Sequence, residues 1–156
     1  MIAAAVPKAD VKALMNKLLR EDAFDSFELR QATVVSFAKF FIEGGEDQPP
    51  ADGKDQSDAV RSEPTKWSRA RPIALGIVRA GGAPKYMKIV FALTKEKLAE
   101  VHPNAASLFI NIVYEDGAAQ ITAGSSEHTF SLDRAAERSA DEFARGFLRS
   151  IGVAAG

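Results

Sequence analysis

The chain has 156 residues, of which 46% are hydrophobic and 26% are charged, which is the composition of one globular domain and excludes wholesale disorder. Twenty basic residues nearly cancel twenty-one acidic ones, so the net charge of −1 excludes a uniformly basic nucleic-acid-binding protein but permits a local basic patch. The absence of cysteine excludes disulfides, thiolate metal sites and cysteine nucleophiles, and two histidines are too few for a three-histidine metal site.

The first seven residues lack the basic leader and the long apolar core of a secretory signal. No window approaches the ~20 apolar residues that a membrane helix needs. Together with the absence of cysteine, these features predict a cytoplasmic protein that does not contact a membrane. They also predict a single domain over residues 1–156, and no pattern indicates a cofactor or a metal.

The first predicted helix is capped by Asp10 and carries one apolar stripe, formed by Val11, Leu14, Met15, Leu18 and Leu19. Off this stripe, and therefore expected to face water, lie Lys12, Asn16, Lys17 and Arg20. Residues 27–42 are rich in β-forming side chains, which predicts one long strand or two strands broken by a bulge near residues 31–33. Residues 44–66 are rich in Pro and Gly with a net charge of −3, which predicts a mobile acidic loop within the domain.

The second half predicts a helix capped by Ser68 that ends at Gly81 and Gly82, and a last helix capped by Asp133 with Leu132 as a hydrophobic staple. Between them, hydrophobic periodicity and the Asp-Gly hairpin signature predict a strand over 84–94, a short helix over 95–101, and strands over 108–114, 119–123 and 128–131. The predicted fold class is α+β, in the order α-β-(loop)-α-β-α-β-β-β-α. About five strands form an antiparallel sheet, with the amphipathic N- and C-terminal helices packed on one face.

The strongest charge asymmetry lies in residues 66–95, the basic segment, which contains seven basic residues and no acidic one. Most charge runs are solvated faces of helices and strands, and that interpretation is the simpler one here. The alternative is a small binding protein that presents this surface to an acidic partner, a nucleic acid or a phosphate-bearing ligand. Its candidate ligand-binding residues are Trp67, Arg69, Arg71, Arg79, Lys85, Tyr86 and Lys88.

Several of these candidates also have structural interpretations. Trp67 is expected mainly to pack a helix onto the sheet, although it would also suit base stacking. Arg71 suits bidentate binding of a carboxylate or phosphate, or a salt bridge within the chain. The glycines at 81–82 follow a helix, so they indicate a helix end and not a phosphate-binding loop. A further hypothesis is that the acidic loop lies over the basic segment and inhibits it.

A small enzyme is the alternative function, with an acid–base site around His128 and nearby carboxylates. Glu127 and the serines at 125–126 complete the atoms of a catalytic triad, but neighbouring strand side chains point to opposite faces. Glu115 and Asp116 are expected to serve the hairpin turn. Self-association through an uncovered sheet edge is a third hypothesis.

Three stretches of this chain together resemble an uncharacterised family of short bacterial proteins that is known only as a domain of unknown function. They are Trp67-Ser68 with Arg71-Pro72, the strand over 88–93, and the strand and hairpin over 108–117 leading to 130–133. The opening residues 10–12 and 24–27 add to the likeness, which covers nearly the whole chain apart from the acidic loop. The resemblance implies a stand-alone cytosolic bacterial protein and assigns no activity and no catalytic residue.

Overall fold

The computed structural model describes residues 1–45 and 63–154, and these residues form an α+β structure, which confirms the predicted class. Most of the predicted acidic loop, residues 46–62, lies outside the described part of the chain. The hypothesis that this loop inhibits the basic segment concerns the same residues and stays a prediction. The elements in chain order are β1 (Ile2–Val6), α1 (Lys8–Leu19), β2 (Glu28–Val35), β3 (Lys39–Glu43), β4 (Thr65–Lys66), α2 (Trp67–Gly81), β5 (Tyr86–Ala92), α3 (Lys95–Val101), β6 (Ala105–Glu115), β7 (Ala118–Glu127) and α4 (Ala135–Ser150).

The strands form one antiparallel sheet of seven strands in the order β1-β7-β6-β5-β2-β3, and the short β4 pairs with Glu28 and Leu29 of β2. β5 and β6 occupy the centre, where Ile89, Ile110 and Ile112 are buried on one face. Alternate side chains of a strand point to opposite faces, so the period of two in the sequence separates a core face from an open face.

The helices bury their apolar stripes against the core face. Helix α4 contacts β7, β6 and β1, α1 contacts β7 and α2, and α2 contacts β2. An aromatic cluster joins the two layers: the rings of Phe24 and Phe91 lie 5.3 Å apart and those of Phe27 and Phe147 lie 4.8 Å apart. Among the described helices, none has both the length and the apolar content that crossing a membrane requires.

The open face of the sheet carries half-buried polar and apolar side chains in cross-strand rows. One row, read from the β3 edge, consists of Phe41, Thr33, Lys88, Val113 and Gln120. Phe41 is 56% exposed and Gln120 is also exposed, whereas Thr33, Lys88 and Val113 are half-buried. Along β5, the side chains of the basic segment therefore point alternately to this open face and to the core face.

The predicted number of about five strands and the predicted element order are wrong. The strand β1 was not predicted because Ile2-Ala3-Ala4-Ala5-Val6 has no polar residue to mark the alternation that its burial pattern shows. The two-residue β4 is too short to produce a pattern.

Residues 27–42 form two strands, β2 and β3, as in one of the two predicted alternatives, but the break between them is a reversal of the chain and not the predicted bulge. The chain reverses at residues 36–38, where the N–H of Ser36 donates to the carbonyl of Ala38 at 3.0 Å. The register of β2 against β5 shifts between Leu29 and Gln31, so the bulge lies just before the predicted position.

The predicted third strand over 128–131 and the predicted staple at Leu132 are also wrong. β7 pairs with β6 as far as Glu127, and Leu132 is 90% exposed in the connection to α4. Helix α4 follows Arg134, which has a left-handed φ of 53°, while the Asp133 carboxylate accepts a hydrogen bond from the N–H of Ala135 at 3.0 Å. Hydrogen bonds from Ser131 and Ala135 hold the pKa of Asp133 below its ordinary value.

The other two predicted caps are one turn or less from the observed helix starts. α1 begins at Lys8, with Pro7 at its cap position, so Asp10 lies in the first turn. α2 begins at Trp67, one residue before the predicted cap at Ser68, and neither helix has a side-chain cap hydrogen bond. Pro7 has an extended ψ of 142°, so the helix begins at the next residue.

Candidate functional site

The predicted site residue Trp67 belongs to the core. Its side chain is completely buried, its indole N–H donates to the carbonyl of Leu18 at 2.9 Å, and its ring meets that of Phe91 edge-on at 5.2 Å. Trp67 thus joins the start of α2 to the end of α1. This geometry supports the predicted packing role of Trp67 and not base stacking, since a buried indole presents no face to a base.

Arg71 forms a salt bridge within the chain. Its guanidinium donates two parallel hydrogen bonds to the Asp25 carboxylate, from Nε to Oδ1 at 2.8 Å and from Nη2 to Oδ2 at 3.0 Å. Its Nη1 donates to the carbonyl of Arg20 at 3.5 Å. The hydrogen bond to Asp25 raises the pKa of Arg71, against the opposing effect of partial burial. The bidentate geometry that suits an external anion is therefore used on Asp25.

The remaining candidates lie in two different layers. Arg69 and Arg79 are exposed on α2, Lys85 is exposed just before β5, and Tyr86 and Lys88 project from the open face of the sheet. Because α2 packs on the core face, Arg79 and Lys88 lie on opposite sides of the sheet. The basic segment thus does not form one continuous surface.

A groove with a volume of about 540 Å³ runs between α1 and α2 and contains Arg79. The two helices run antiparallel, because Trp67 at the start of α2 contacts Leu18 near the end of α1, while Arg79 and Gly82 share the groove with Lys8. The groove is lined by Lys8, Val11, Lys12, Met15, Asn16, Leu19, Arg20, Leu75, Val78, Arg79, Gly82, Ala83, Pro84, Tyr114 and Gly117.

The floor of this groove is apolar and its rim is cationic. Val11, Met15 and Leu19 from α1 face Leu75 and Val78 from α2. Among the lining residues that the structure describes, the charged ones are Lys8, Lys12, Arg20 and Arg79, and none is an aspartate or glutamate.

The four rim cations have no acidic partner within residues 1–45 and 63–154, which distinguishes them from the paired Arg71. Asp10 lies in the same turn of α1 as Lys8 and Lys12 but does not line the groove. Unpaired cations beside an apolar floor create a positive potential over a surface that also favours burial of hydrocarbon.

The sequence pattern does not single out Lys8, Lys12 or Arg20. They belong to a helix whose polar residues are expected to face water, and they lie some sixty residues before Arg79 in the chain. One local pattern is present. Lys8 and Lys12 are four residues apart, so their side chains lie on the same side of the helix, next to Val11 of the apolar stripe.

The side chains around His128 do not converge on one site. His128 is exposed after β7, and its backbone N–H donates to the carbonyl of Asn104 at 3.0 Å. Glu127 accepts from the N–H of Ser131 at 3.2 Å, and the Ser126 hydroxyl bonds that of Ser107. Glu127 is therefore engaged with the backbone and Ser126 with a serine of β6, and neither bonds the imidazole.

Glu115 and Asp116 serve the β6–β7 hairpin. Asp116 has a φ of 50° and Gly117 a φ of 80°, the pair of positive values that a two-residue hairpin turn requires. Among the described residues, no three His, Asp or Glu side chains gather closely enough to hold a metal ion.

A family model described as a family of unknown function (DUF5721) matches residues 17–154. The resemblance to an uncharacterised family is thereby confirmed over most of the chain. No curated protein and no solved structure matches the chain.

Proposed function

The chain belongs to a family of unknown function, DUF5721, and because that description assigns no ligand we propose from the groove itself that the protein binds a small anionic amphiphile. Such a ligand has a hydrocarbon body and a phosphate or carboxylate head. The proposal narrows the acidic partner or phosphate-bearing ligand expected from the basic segment. Of the predicted site residues it keeps Arg79, and it places the site in the space between α1 and α2.

The observation that carries the proposal is the combination of an apolar floor with four cations that, within the described part of the chain, have no acidic partner and share the lining with no acid. Small-molecule sites are concave, mostly apolar and of about 300–1,000 Å³, with a few polar groups that orient the ligand. The floor would bury the hydrocarbon, and lysine or arginine would bind the head through charge-assisted hydrogen bonds.

The charges also favour one orientation of the ligand. Lys8, Lys12 and Arg79 lie at the end of the groove where α1 begins, and Arg20 lies at the other end. Because the two helices run antiparallel, the dipoles of α1 and α2 oppose each other at this end, and the three cations there decide the orientation. We therefore place the anionic head near Lys8 and Lys12, with the hydrocarbon extending along α1 towards Leu19.

Nucleic acid is the less favoured partner. The basic segment is split between two layers, and Trp67 lies in the core, so neither a continuous phosphate track nor that stacking platform supports it. As part of the same proposal, we expect the protein to act in solution in the bacterial cytoplasm, on the grounds of its cysteine-free composition and its family resemblance.

The direct test titrates dodecyl phosphate, dodecanoate and dodecanol into the protein below their micelle or solubility limits, with calorimetry and methyl NMR as readouts. We expect the two anions to bind and to shift the methyl signals of Met15, Leu75 and Val78, and dodecanol to bind more weakly. If neither anion shifts these methyl signals, the proposal is contradicted. Binding of an oligonucleotide with no effect of the amphiphiles would favour the nucleic-acid alternative.

A matched pair of charge reversals tests the rim. Lys12→Glu replaces a groove cation, while Lys17→Glu makes the same change on the same helix outside the groove. Loss of one charge-assisted hydrogen bond weakens binding about tenfold, so Lys12→Glu should raise the Kd of dodecyl phosphate at least that much. Lys17→Glu should change it less than about twofold, and equal effects of both variants would mean that only net charge matters.

A further inference from the structure

We propose that two copies of this chain associate through β1, which pairs with β1 of the second copy in antiparallel fashion around Ala4. The inference does not rest on the ligand proposed above, and the two share only Lys8, which lines the groove and also lies near the end of β1. β1 lies at one end of the sheet, and within the described residues its strand pairing is with β7 alone. Its outer side therefore offers backbone N–H and C=O groups to another extended strand.

The two ends of the sheet differ in how they discourage such pairing. At the far end, β3 carries Lys39 and Glu43 on its open-face side, and charges of this kind limit edge-to-edge association. β1 has no charge and no proline, and its five residues keep a regular register with β7. Ala3 and Ala5 are exposed and small, so they would not obstruct a neighbouring strand.

The sequence of β1 favours a second copy over an unrelated peptide because it is nearly symmetric about Ala4. A two-fold axis at Ala4 would set Ile2 opposite Val6 of the second copy, and Ala3 opposite Ala5. Ile2, Ala4 and Val6 all face the core side. Pairing about this axis would therefore continue the apolar core across the interface without a change of face.

Charges beside the two ends of β1 are complementary under the same axis. The Met1 ammonium lies 3.4 Å from Glu137 and 3.0 Å from Asp141, which places these carboxylates of α4 beside the start of β1. Lys8 lies two residues after the end of β1, beyond Pro7. Because antiparallel pairing brings the start of one strand to the end of the other, each copy's Glu137 and Asp141 would approach Lys8 of the second copy, and the contact would occur twice.

The first experiment measures the mass in solution by sedimentation or light scattering from about 1 to about 100 µM, a range that brackets the affinities of weak homodimers. We expect the mass to reach twice that of one chain. A mass of one chain at every concentration would overturn the proposal.

The second experiment tests the register by disulfide formation, which is clean because the chain has no cysteine. An equimolar mixture of Ala3→Cys and Ala5→Cys should cross-link, because directly opposite residues have Cβ atoms about 4.5–5.5 Å apart, close to the reach of a disulfide. Either variant alone should not, because its own two cysteines would be offset by two residues along the strands. A dimer whose mixed variants cross-link no better than each variant alone would place the interface elsewhere and overturn the proposal.

A charge variant provides the loss-of-function test. Ala3→Lys with Ala5→Lys should abolish the dimer, because the lysines would face each other across the axis. Gln120→Lys adds a lysine to the same open face one strand further in, opposite Ala5, and should leave the dimer intact. An undiminished dimer in the double variant would contradict the proposed edge pairing.

Discussion

Gly44 and Gly76 lie in different surroundings, so the same substitution is expected to have different effects on stability at the two positions. A Cβ atom at Gly44 would lie 1.7 Å from the carbonyl oxygen of Leu29, so the close approach of residue 44 to β2 requires glycine. A Cβ at Gly76, on the exposed side of α2, would meet nothing within 4 Å. The sequence puts Gly44 in a predicted loop and Gly76 in a predicted helix, and neither pattern reveals that residue 44 approaches the backbone of β2.

We expect Gly44→Ala to lower the free energy of unfolding by more than about 2 kcal/mol, because the clash with backbone forces the β3 end away from β2. Gly76→Ala should raise it by about 0.5–1 kcal/mol, because alanine loses less conformational freedom in a helix than glycine does. Urea unfolding followed by circular dichroism measures both changes. Equal effects of the two substitutions would show that residue 44 does not approach β2 closely.

At the scale of elements, α1 and α2 form one unit because Trp67 connects them. The indole bond to Leu18 and the salt bridge from Arg71 to Asp25 fasten the start of α2 to the end of α1. The walls of the groove are thereby held in a fixed relation at one end. The apolar stripe of each helix can be predicted from the sequence, but the element against which each stripe packs is decided by the tertiary structure.

We expect Trp67→Phe to lower the free energy of unfolding by about 2–3 kcal/mol. Phenylalanine preserves an aromatic contact with Phe91, but it leaves the buried carbonyl of Leu18 without its donor and leaves a small cavity. Ile73→Ala, at a position of α2 that is 60% exposed, should change the stability by less than about 0.5 kcal/mol. Because the chain has one tryptophan, circular dichroism must replace fluorescence in this comparison. A loss of stability no larger than that of Ile73→Ala would show that Trp67 does not fasten α2 to α1.

At the scale of the whole molecule, stability is expected to fall from the centre of the sheet to its edges. Strands β5 and β6 have partners on both sides and bury Ile89, Phe91, Ile110 and Ile112. β3 is an edge strand with alternately exposed side chains. Opening of an edge disrupts fewer contacts than opening of the centre, which requires most of the structure to unfold.

Hydrogen exchange should therefore be slowest at the amides of β5 and β6 and faster at β3. At β1, the exchange of outward-facing amides should slow as the protein concentration rises through the dimerisation range, with no matching change at β3. Mass-spectrometric or NMR exchange at two concentrations measures both effects. Exchange at β1 that is independent of concentration, in a protein whose mass doubles, would contradict pairing through this edge.

The sequence by itself determined the features that arise from short-range periodicity and turn chemistry. These include the α+β class, the apolar stripe of α1, strand β5, and the hairpin at Asp116 and Gly117, because each depends on residues within a few positions of one another. β1 and the two-residue β4 were missed because short segments become strands through partners distant in the chain.

Only the tertiary structure decided where the charges of the basic segment lie and which of them meet. It buried Trp67, paired Arg71 with Asp25, and set Arg79 and Lys88 on opposite sides of the sheet. It also brought Arg79 beside Lys8 and Lys12, which no local pattern connects to it. The physical reason is that solvation lets a charge on the polar side of an element lie almost anywhere, whereas burial of apolar area selects how the helices pack. The candidate site is a consequence of that packing.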